Sequence, residues 1–283
     1  MRIYSIFVGL ISIPIVLDEF FQTETGRDYG IGFTAKLNLV FRVWLNRRRI
    51  VTSSFFLEHL IIATRVLRIP KSVEGSVVEC GSFRGGSTVN LSLVCGLCHR
   101  KLEVFDSFSG LPASDSTEVH TLLDRRKLAV YAKGAYAGTE EEVRRNVSRY
   151  GDIGICEFHP GYFEDTLPQF KRDCVLAFVD VDLRDSLVTC LRNLWPLLLA
   201  GSYFFVHEAH HLEMAQIFFD TEWWRRNAFC PAPGLVGAGS GLGLYSRGGP
   251  FRSDLGYTIK NPDTSSFVKS SDSGIDRSPT ILR

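Results

Sequence analysis

The chain has 283 residues, of which 45% are hydrophobic and 22% are charged, a composition typical of a globular protein with a sizeable core. Its formal net charge of +1 argues against a nucleic-acid partner, which would require a strongly basic surface. Seven cysteines, an odd number scattered mainly through apolar runs, favour buried thiols over a disulfide framework. We therefore expect a protein of a reducing compartment, the cytoplasm.

The amino-terminal segment, residues 1–17, contains one arginine and is otherwise almost continuously apolar. It is shorter than the roughly 20 residues of a membrane-spanning helix, and no small-residue cleavage site follows it. We expect this segment to pack as a helix, and membrane association is the alternative. The basic run Arg47-Arg48-Arg49 is predicted to be a solvated helix end, and residues 1–50 are predicted to form a helical extension.

The region after this extension begins with an amphipathic helix and a buried strand. The helix is predicted from Phe55 to Arg68, with Thr52 or Ser53 as its N-cap. The apolar run from Ser76 to Val78 then predicts a strand that ends at Glu79.

A glycine-rich turn connects this strand to the next predicted helix, residues 88–98. Gly81, Gly85 and Gly86 lie between the carboxylate of Glu79 and the start of that helix. Glycines let the backbone turn sharply beside a ligand, and a helix amino terminus offers free N–H groups. This combination suits S-adenosylmethionine, which carries an amino acid, a ribose and a base. The glycine spacing argues against an NAD-dependent oxidoreductase, and an ordinary strand-to-helix turn is the alternative.

A second acidic residue, Asp106, follows the short predicted strand 101–105 and lies 27 residues after Glu79. In a strand–helix–strand unit this separation brings both side chains to one edge of the sheet, where Asp106 can bind ribose hydroxyls. A helix N-cap or an Asx turn is the alternative role. The polar, glycine-rich residues 113–138 that follow are predicted to form a lid or substrate loop.

Strands and helices alternate through the rest of the chain, and a polar cluster follows each strand. This pattern predicts an α/β fold with a doubly wound, mostly parallel sheet. Strands are predicted at 153–158, 175–179 and 203–206, a final strand or hairpin at 236–245, and helices at 139–150, 186–199 (ended by Gly201) and 213–227. Residues 260–283 are poor in apolar side chains and are predicted to be disordered.

Five motifs occur in the order and at the spacing of a known protein family. They are Glu79-Cys-Gly-Ser-Phe-Arg-Gly-Gly-Ser87, Phe105-Asp-Ser-Phe-Ser-Gly-Leu-Pro112, Gly161-Tyr-Phe-Glu-Asp-Thr-Leu-Pro168, Asp180-Val-Asp-Leu183 and Leu194-Trp-Pro-Leu-Leu-Leu-Ala-Gly201. Over roughly residues 50–230 the chain resembles the macrocin O-methyltransferases (TylF/MycF type), class I enzymes that use S-adenosylmethionine. The resemblance implies a Rossmann-like, seven-stranded catalytic domain over residues 51–259. It also implies a small, sugar-containing acceptor with a free hydroxyl, and a divalent metal, usually magnesium.

The resemblance also implies roles for individual residues. Glu79 and Gly81 are expected at the methionine part of the cofactor, Asp106 at the ribose, and Gly161 and Tyr162 near the adenine. The remaining cofactor-binding residues are expected to be Ser82, Gly85, Gly86, Ser87 and Ser107. Asp180 is expected to be a metal ligand and the catalytic base.

This chain departs from the family at the end of the strand that follows the Leu194–Gly201 motif. The family has two aspartates there, and this chain has His207-Glu208. Magnesium demands oxygen ligands, whereas histidine favours softer metals. Three outcomes follow. In the first, a different metal binds to Asp180, His207 and Glu208. In the second, the metal is absent and His207 is a general base. In the third, the chain is a non-catalytic relative that binds the cofactor and acts as a binding or partner module. A homo-oligomer is also left open.

Overall fold

The fold is seen in a computed structural model that describes residues 13–115, 117–122, 124–237 and 254–261. Most of the predicted strand at 236–245 and most of the predicted disordered tail at 260–283 lie outside these residues. Within them, no helix combines the length and the apolarity that a membrane span needs. All seven cysteines are described and none forms a disulfide; six are buried, as predicted.

Eight strands occur in the described residues, and six of them form one sheet. The strands are β1 (Ser76–Cys80), β2 (Leu102–Asp106), β3 (Glu118–His120), β4 (Lys127–Val130), β5 (Cys156–Pro160), β6 (Cys174–Val179), β7 (Leu198–Val206) and β8 (Gly256–Ile259). The order in the sheet is β5-β2-β1-β6-β7-β8, and only the β7–β8 pair is antiparallel. The doubly wound, mostly parallel α/β fold is therefore confirmed, with six of the seven expected strands in the described residues.

Helices cover both faces of the sheet. They are α1 (Phe33–Arg49), α2 (Phe56–Arg68), α3 (Gly86–Cys98), α4 (Glu140–Tyr150), α5 (Phe163–Thr166), α6 (Arg184–Leu194), α7 (Leu212–Ala215) and α8 (Thr221–Asn227). Residues 13–21 are also helical. Adjacent residues of β1 point to opposite faces of the sheet. Val77 belongs to the hydrophobic cluster that includes α1–α3, and Val78 belongs to the cluster that includes α6–α8. Both faces of β1 are thus buried, which explains its continuous apolar sequence.

Two predicted helix ends are wrong, and each has a local cause. The N-cap of α2 is Phe55, not Thr52 or Ser53, because the Glu58 carboxylate accepts the Phe55 N–H at 2.6 Å. The helix predicted at 186–199 ends at Leu194, since Pro196 follows and lacks an N–H. Gly201 consequently lies inside β7 rather than ending a helix.

Two other predicted segments are organised differently in the structure. The segment 113–138 contains an antiparallel hairpin, formed by β3 and β4, rather than a loop alone. The helix predicted at 213–227 is interrupted at Asp220, whose side chain accepts the Trp223 N–H and begins a new helix, α8.

Candidate functional site

The glycine turn after β1 passes directly against the end of β6. Gly81 has φ +89°, and a Cβ at this position would lie 1.9 Å from the carbonyl oxygen of Asp180. Gly85, with φ +83°, is the N-cap of α3. Both positions require backbone conformations that L side chains rarely adopt. The sequence therefore places the amino terminus of α3 and the end of β6 around the same space.

Asp106, at the end of β2, fastens this turn to the sheet. Its Oδ2 accepts hydrogen bonds from the Ser82 N–H at 2.6 Å, the Ser82 hydroxyl at 3.0 Å and the Phe83 N–H at 3.2 Å. Its Oδ1 accepts the Phe108 N–H at 2.7 Å, which is the Asx turn considered as an alternative from sequence. The carboxylate thus shapes the turn, whichever ligand it also contacts.

Glu79 is fully buried at the end of β1. Neither of its carboxylate oxygens accepts a hydrogen bond from a described residue. Burial raises the pKa of Glu79 to about 8; the nearby Ser87 and Thr88 hydroxyls lower it by a smaller amount, and repulsion from Asp106 and Asp180 adds to the increase. A buried carboxyl group without a partner is costly, so this position favours a ligand that brings a hydrogen-bond donor or a positive charge.

A cavity opens at the carboxyl edge of the parallel strands. It brings together eight of the residues predicted for the site: Gly81, Ser82, Gly86, Ser87, Asp106, Ser107, Tyr162 and Asp180. The other five, Glu79, Gly85, Gly161, His207 and Glu208, are not among its lining residues. Asp182 and residues 51–54 also line the cavity.

A cluster of ionisable side chains lies behind Asp180, at the ends of β6 and β7. Nδ1 of His207 is 3.4 Å from Oδ1 of Asp180 and 3.2 Å from Oε1 of Glu208. Its Nε2 is 3.4 Å from Oε2 of Glu58, which α2 contributes. The imidazole is therefore surrounded by three carboxylates, and both it and Glu208 are buried.

The pKa values in this cluster follow from burial and from mutual charge. Burial alone would lower the pKa of His207, but Asp180 and Glu58 raise it well above its usual value. Burial alone would raise the pKa of Asp180, but His207 holds it below its usual range. Burial, followed by repulsion from Asp180, raises the pKa of Glu208. At neutral pH, Asp180 is thus an ionised carboxylate beside an imidazolium.

Sequence reasoning missed Glu58 and Asp182. Glu58 lies three residues after the N-cap of α2, a spacing that predicts only its local capping role. Burial and the charge of Asp180 raise the pKa of Asp182 to about 7, while a hydrogen bond from Tyr131 lowers it. The second acidic position of the Asp180-Val-Asp motif was the available signal for Asp182.

The hairpin is attached to the chain just beyond Glu208. The N–H of His120 donates to Oε2 of Glu213 at 2.9 Å, and its Nδ1 lies 2.7 Å from Oε1 of the same residue. The Leu122 N–H donates to the His210 carbonyl at 2.9 Å. The predicted lid segment therefore contacts the segment that follows the His-Glu pair.

The arrangement of Asp180, His207 and Glu208 fits a divalent cation. One ligand atom from each residue lies within 4.8 Å of the other two. Oε2 of Glu208 is buried and has no hydrogen-bond partner in the described part of the chain. Glu58 faces the second ring nitrogen of His207. In metal sites a carboxylate commonly occupies this position and orients the imidazole.

Comparison with known proteins assigns the family. The family model of macrocin O-methyltransferase (TylF) matches residues 57–228. The chain belongs to this family. It is therefore an S-adenosylmethionine-dependent O-methyltransferase, as the motifs predict.

Solved structures support the same fold for this TylF-family chain. The O-methyltransferase NovP is 24% identical, with a TM-score of 0.54 over 74% of this chain and 83% of NovP. The calicheamicin methyltransferase CalS11 is 17% identical, with a TM-score of 0.52 over 72% of this chain and 79% of CalS11. No curated protein matches the sequence.

Proposed function

We propose that the cavity holds S-adenosylmethionine together with a small, sugar-containing acceptor, and that Asp180 is the catalytic base. One observation carries this proposal. Asp180 lines the cavity where the glycine turn passes, and His207 keeps its carboxylate ionised. Residues 51–259 would form the catalytic domain, because they contain all six strands of the central sheet seen in the described residues and the cavity. The unpaired cysteines support a cytoplasmic location.

The cofactor would lie along the ends of β1 and β2. The buried carboxylate of Glu79 would accept hydrogen bonds from the methionine ammonium, which supplies the positive charge that this position lacks. Asp106 would bind the ribose with the lone pairs that its turn leaves free. Tyr162 would cover the adenine next to Gly161. Ser82, Ser87 and Ser107 offer hydroxyl groups along the same path, and Gly81, Gly85 and Gly86 allow the close approach.

The transfer is an in-line displacement at the methyl carbon. The acceptor oxygen forms a bond to that carbon, the sulfur–carbon bond breaks, and its electron pair stays on sulfur. The hydroxyl proton passes to the Asp180 carboxylate. Holding the two reactants in line can contribute about 7–11 kcal/mol to the rate enhancement. The His207 imidazolium stabilises the charge of the base and does not itself line the cavity.

In a metal-bound form, Asp180, His207 and Glu208 would instead hold a divalent cation, and His207 would then be neutral, because a histidine ligand gives up its proton. When bound, such a cation would act as a Lewis acid that lowers the pKa of the acceptor hydroxyl. One imidazole and two carboxylates suit first-row transition metals better than magnesium. In the alternative without metal, the charged imidazole of His207 neutralises Asp180, and chelators leave the rate unchanged.

The test compares Asp180→Asn with Asp185→Asn, a matched change at an exposed aspartate outside the cavity lining. Calorimetry should show that both variants bind S-adenosylmethionine about as well as the natural chain. Methyl transfer to a panel of nucleotide-linked and glycosidic sugars should fall by about 10²–10⁴-fold in Asp180→Asn only. Full activity in Asp180→Asn would overturn the role of the base. Cofactor binding by the natural chain without turnover of any of these sugars would contradict the proposed acceptor class.

A further inference from the structure

The solvent-facing side of α1 is apolar. Four of its residues are exposed: Phe33 (65%), Leu37 (52%), Phe41 (56%) and Trp44 (37%). Their spacing of four, four and three places them along one side of the helix. The opposite side buries Leu39 and Val43 in the core. Surface helices normally turn polar residues to water, so an apolar stripe of this kind indicates a contact surface.

The carboxyl-terminal end of the same helix is strongly basic. Arg47, Arg48 and Arg49 are all exposed, and none of them forms an ion pair with another described residue. Their guanidinium groups lie over aromatic rings instead, including that of Trp44 at 4.3 Å. The sequence from 29 to 57 contains five basic residues and no acidic residue. This local excess contrasts with the net charge of +1 for the whole chain.

The apolar character extends into the preceding helix. The ring of Phe21 lies 5.0 Å from that of Phe33, at the start of α1. Ile15, in the helical residues 13–21, is exposed. The sequence before it is apolar back to residue 3. In the described residues, the stripe on α1 is therefore flanked by further apolar side chains of the preceding helix.

We propose that this α1 surface, formed by Phe33, Leu37, Phe41, Trp44 and Arg47–Arg49, binds the surface of an anionic lipid bilayer. Helices that lie in a membrane interface combine aromatic and aliphatic side chains with arginines or lysines. The apolar stripe would enter the boundary between head groups and acyl chains, and Trp44 is of the residue type enriched at that depth. The unpaired arginines would contact anionic head groups.

Charge favours a bilayer over a second copy of the chain as the occupant. Two α1 surfaces brought together would supply only positive charge, because α1 contains no acidic residue. Each set of three arginines would remain without an anionic partner. An anionic bilayer supplies both the apolar layer and the negative charge.

The surface also lies close to the proposed active site along the chain. Residues 51–54, directly after Arg49 and Ile50, line the cavity. Arg47 lies over the ring of Phe55, the N-cap of α2, at 5.0 Å. A bilayer bound at α1 would therefore lie beside one wall of the cavity.

Vesicle co-sedimentation of the full chain tests the proposal. The natural chain should bind phosphatidylcholine vesicles that contain phosphatidylglycerol, release them at high salt, and bind pure phosphatidylcholine at least tenfold more weakly. Replacing Arg47, Arg48 and Arg49 by Gln should weaken binding by roughly fivefold for each arginine. The double variant Phe41→Gln, Trp44→Gln should weaken it at least tenfold.

The matched control is Phe219→Gln with Phe229→Gln, two exposed phenylalanines outside the α1 surface, and it should bind vesicles normally. Unchanged affinity for S-adenosylmethionine would show that each variant is folded. The proposal is overturned if the natural chain does not bind anionic vesicles, or if the α1 variants bind as well as the control. It is also overturned if the chain is a lipid-free dimer that the Phe41, Trp44 variant dissociates.

Discussion

The carboxylate of Glu58 lies 3.4 Å from Nε2 of His207, on the side of the imidazole away from Asp180 and Glu208. The same carboxylate accepts the N–H of Phe55 at 2.6 Å and that of Asp254 at 2.8 Å. Glu58 thus joins the start of α2, the segment before β8 and the ionisable cluster. It fixes the orientation of the imidazole and stabilises its charge.

Glu58→Gln should separate the capping role of this residue from its effect on His207. Glutamine keeps one acceptor oxygen for the helix cap but removes the negative charge beside the imidazole and the second acceptor oxygen, which binds the Asp254 N–H. We expect manganese affinity to fall by about 10–100-fold, with cofactor affinity unchanged. Calorimetric titration with Mn²⁺ measures the first quantity and titration with S-adenosylmethionine the second. Equal manganese affinity in the variant and the natural chain would contradict the proposal that Glu58 orients His207. The thermal unfolding temperature of the variant shows whether the helix cap is kept.

Glu79 should make the stability of the cofactor-free protein depend on pH. Its pKa is about 8 in the folded chain against an ordinary value of 4.5, so the folded state binds more protons between these values. The contribution of this extra proton to the free energy of unfolding is complete below pH 4.5 and is lost as the pH rises through about 8. Between these values the free energy of unfolding falls by up to roughly 1.4 kcal/mol per pH unit.

Glu79→Gln imitates the protonated side chain and cannot ionise. Urea unfolding at pH 5, 6.5 and 8 should therefore show a shallower loss of stability for this variant than for the natural chain. The same variant should bind S-adenosylmethionine more weakly, because the amide carries no charge for the ammonium group. Parallel pH profiles for the two proteins would rule out the raised pKa.

Asp106→Ala should reduce both stability and cofactor affinity. The change removes the acceptor of four hydrogen bonds that hold the glycine turn and the following loop. We expect the free energy of unfolding to fall by roughly 2–4 kcal/mol, since N–H groups of the turn lose their partner. Ser82→Ala removes only one of these bonds and is the control. If Asp106 binds ribose, its replacement should weaken the cofactor far more than Ser82→Ala does.

Gly81→Ala should destabilise the protein through a direct clash with the backbone of Asp180. A Cβ would lie 1.9 Å from the carbonyl oxygen there, in addition to the strain of φ +89°. Gly201→Ala is the matched control, because Gly201 has φ +80° with nothing within 4 Å of an added Cβ. The control should lose about 1 kcal/mol and Gly81→Ala at least about 2 kcal/mol more. If denaturant unfolding gave similar losses of stability for the two variants, the turn at residue 81 would be able to accommodate a methyl group without a clash.

The sequence predicts those parts of the site that parallel strands bring together. Glu79, Asp106 and Asp180 each stand at the end of a strand, and neighbouring parallel strands end at one edge of the sheet. The His207-Glu208 pair follows the same rule. Their roles in catalysis stay predictions.

The sequence does not reveal partners that a different element brings to the site. Glu58 resembles an ordinary capping residue, because its contact with His207 depends on how α2 packs against the sheet. The hairpin strands Glu118–His120 and Lys127–Val130 are only three and four residues long, too short to show the alternation that marks a strand. They are stabilised instead by Glu213, far along the chain.

The attachment of the hairpin to Glu213 and His210 has a consequence for engineering. A chimera that transplants only residues 113–138 from a relative would replace His120, whose imidazole pairs with Glu213 outside the transplanted segment. The transplanted segment, which contributes Tyr136 to the cavity lining, would then lack this attachment, whatever acceptor it had evolved to admit. Residues 113–138 and 207–213 form a single exchangeable module, and the two should be swapped together.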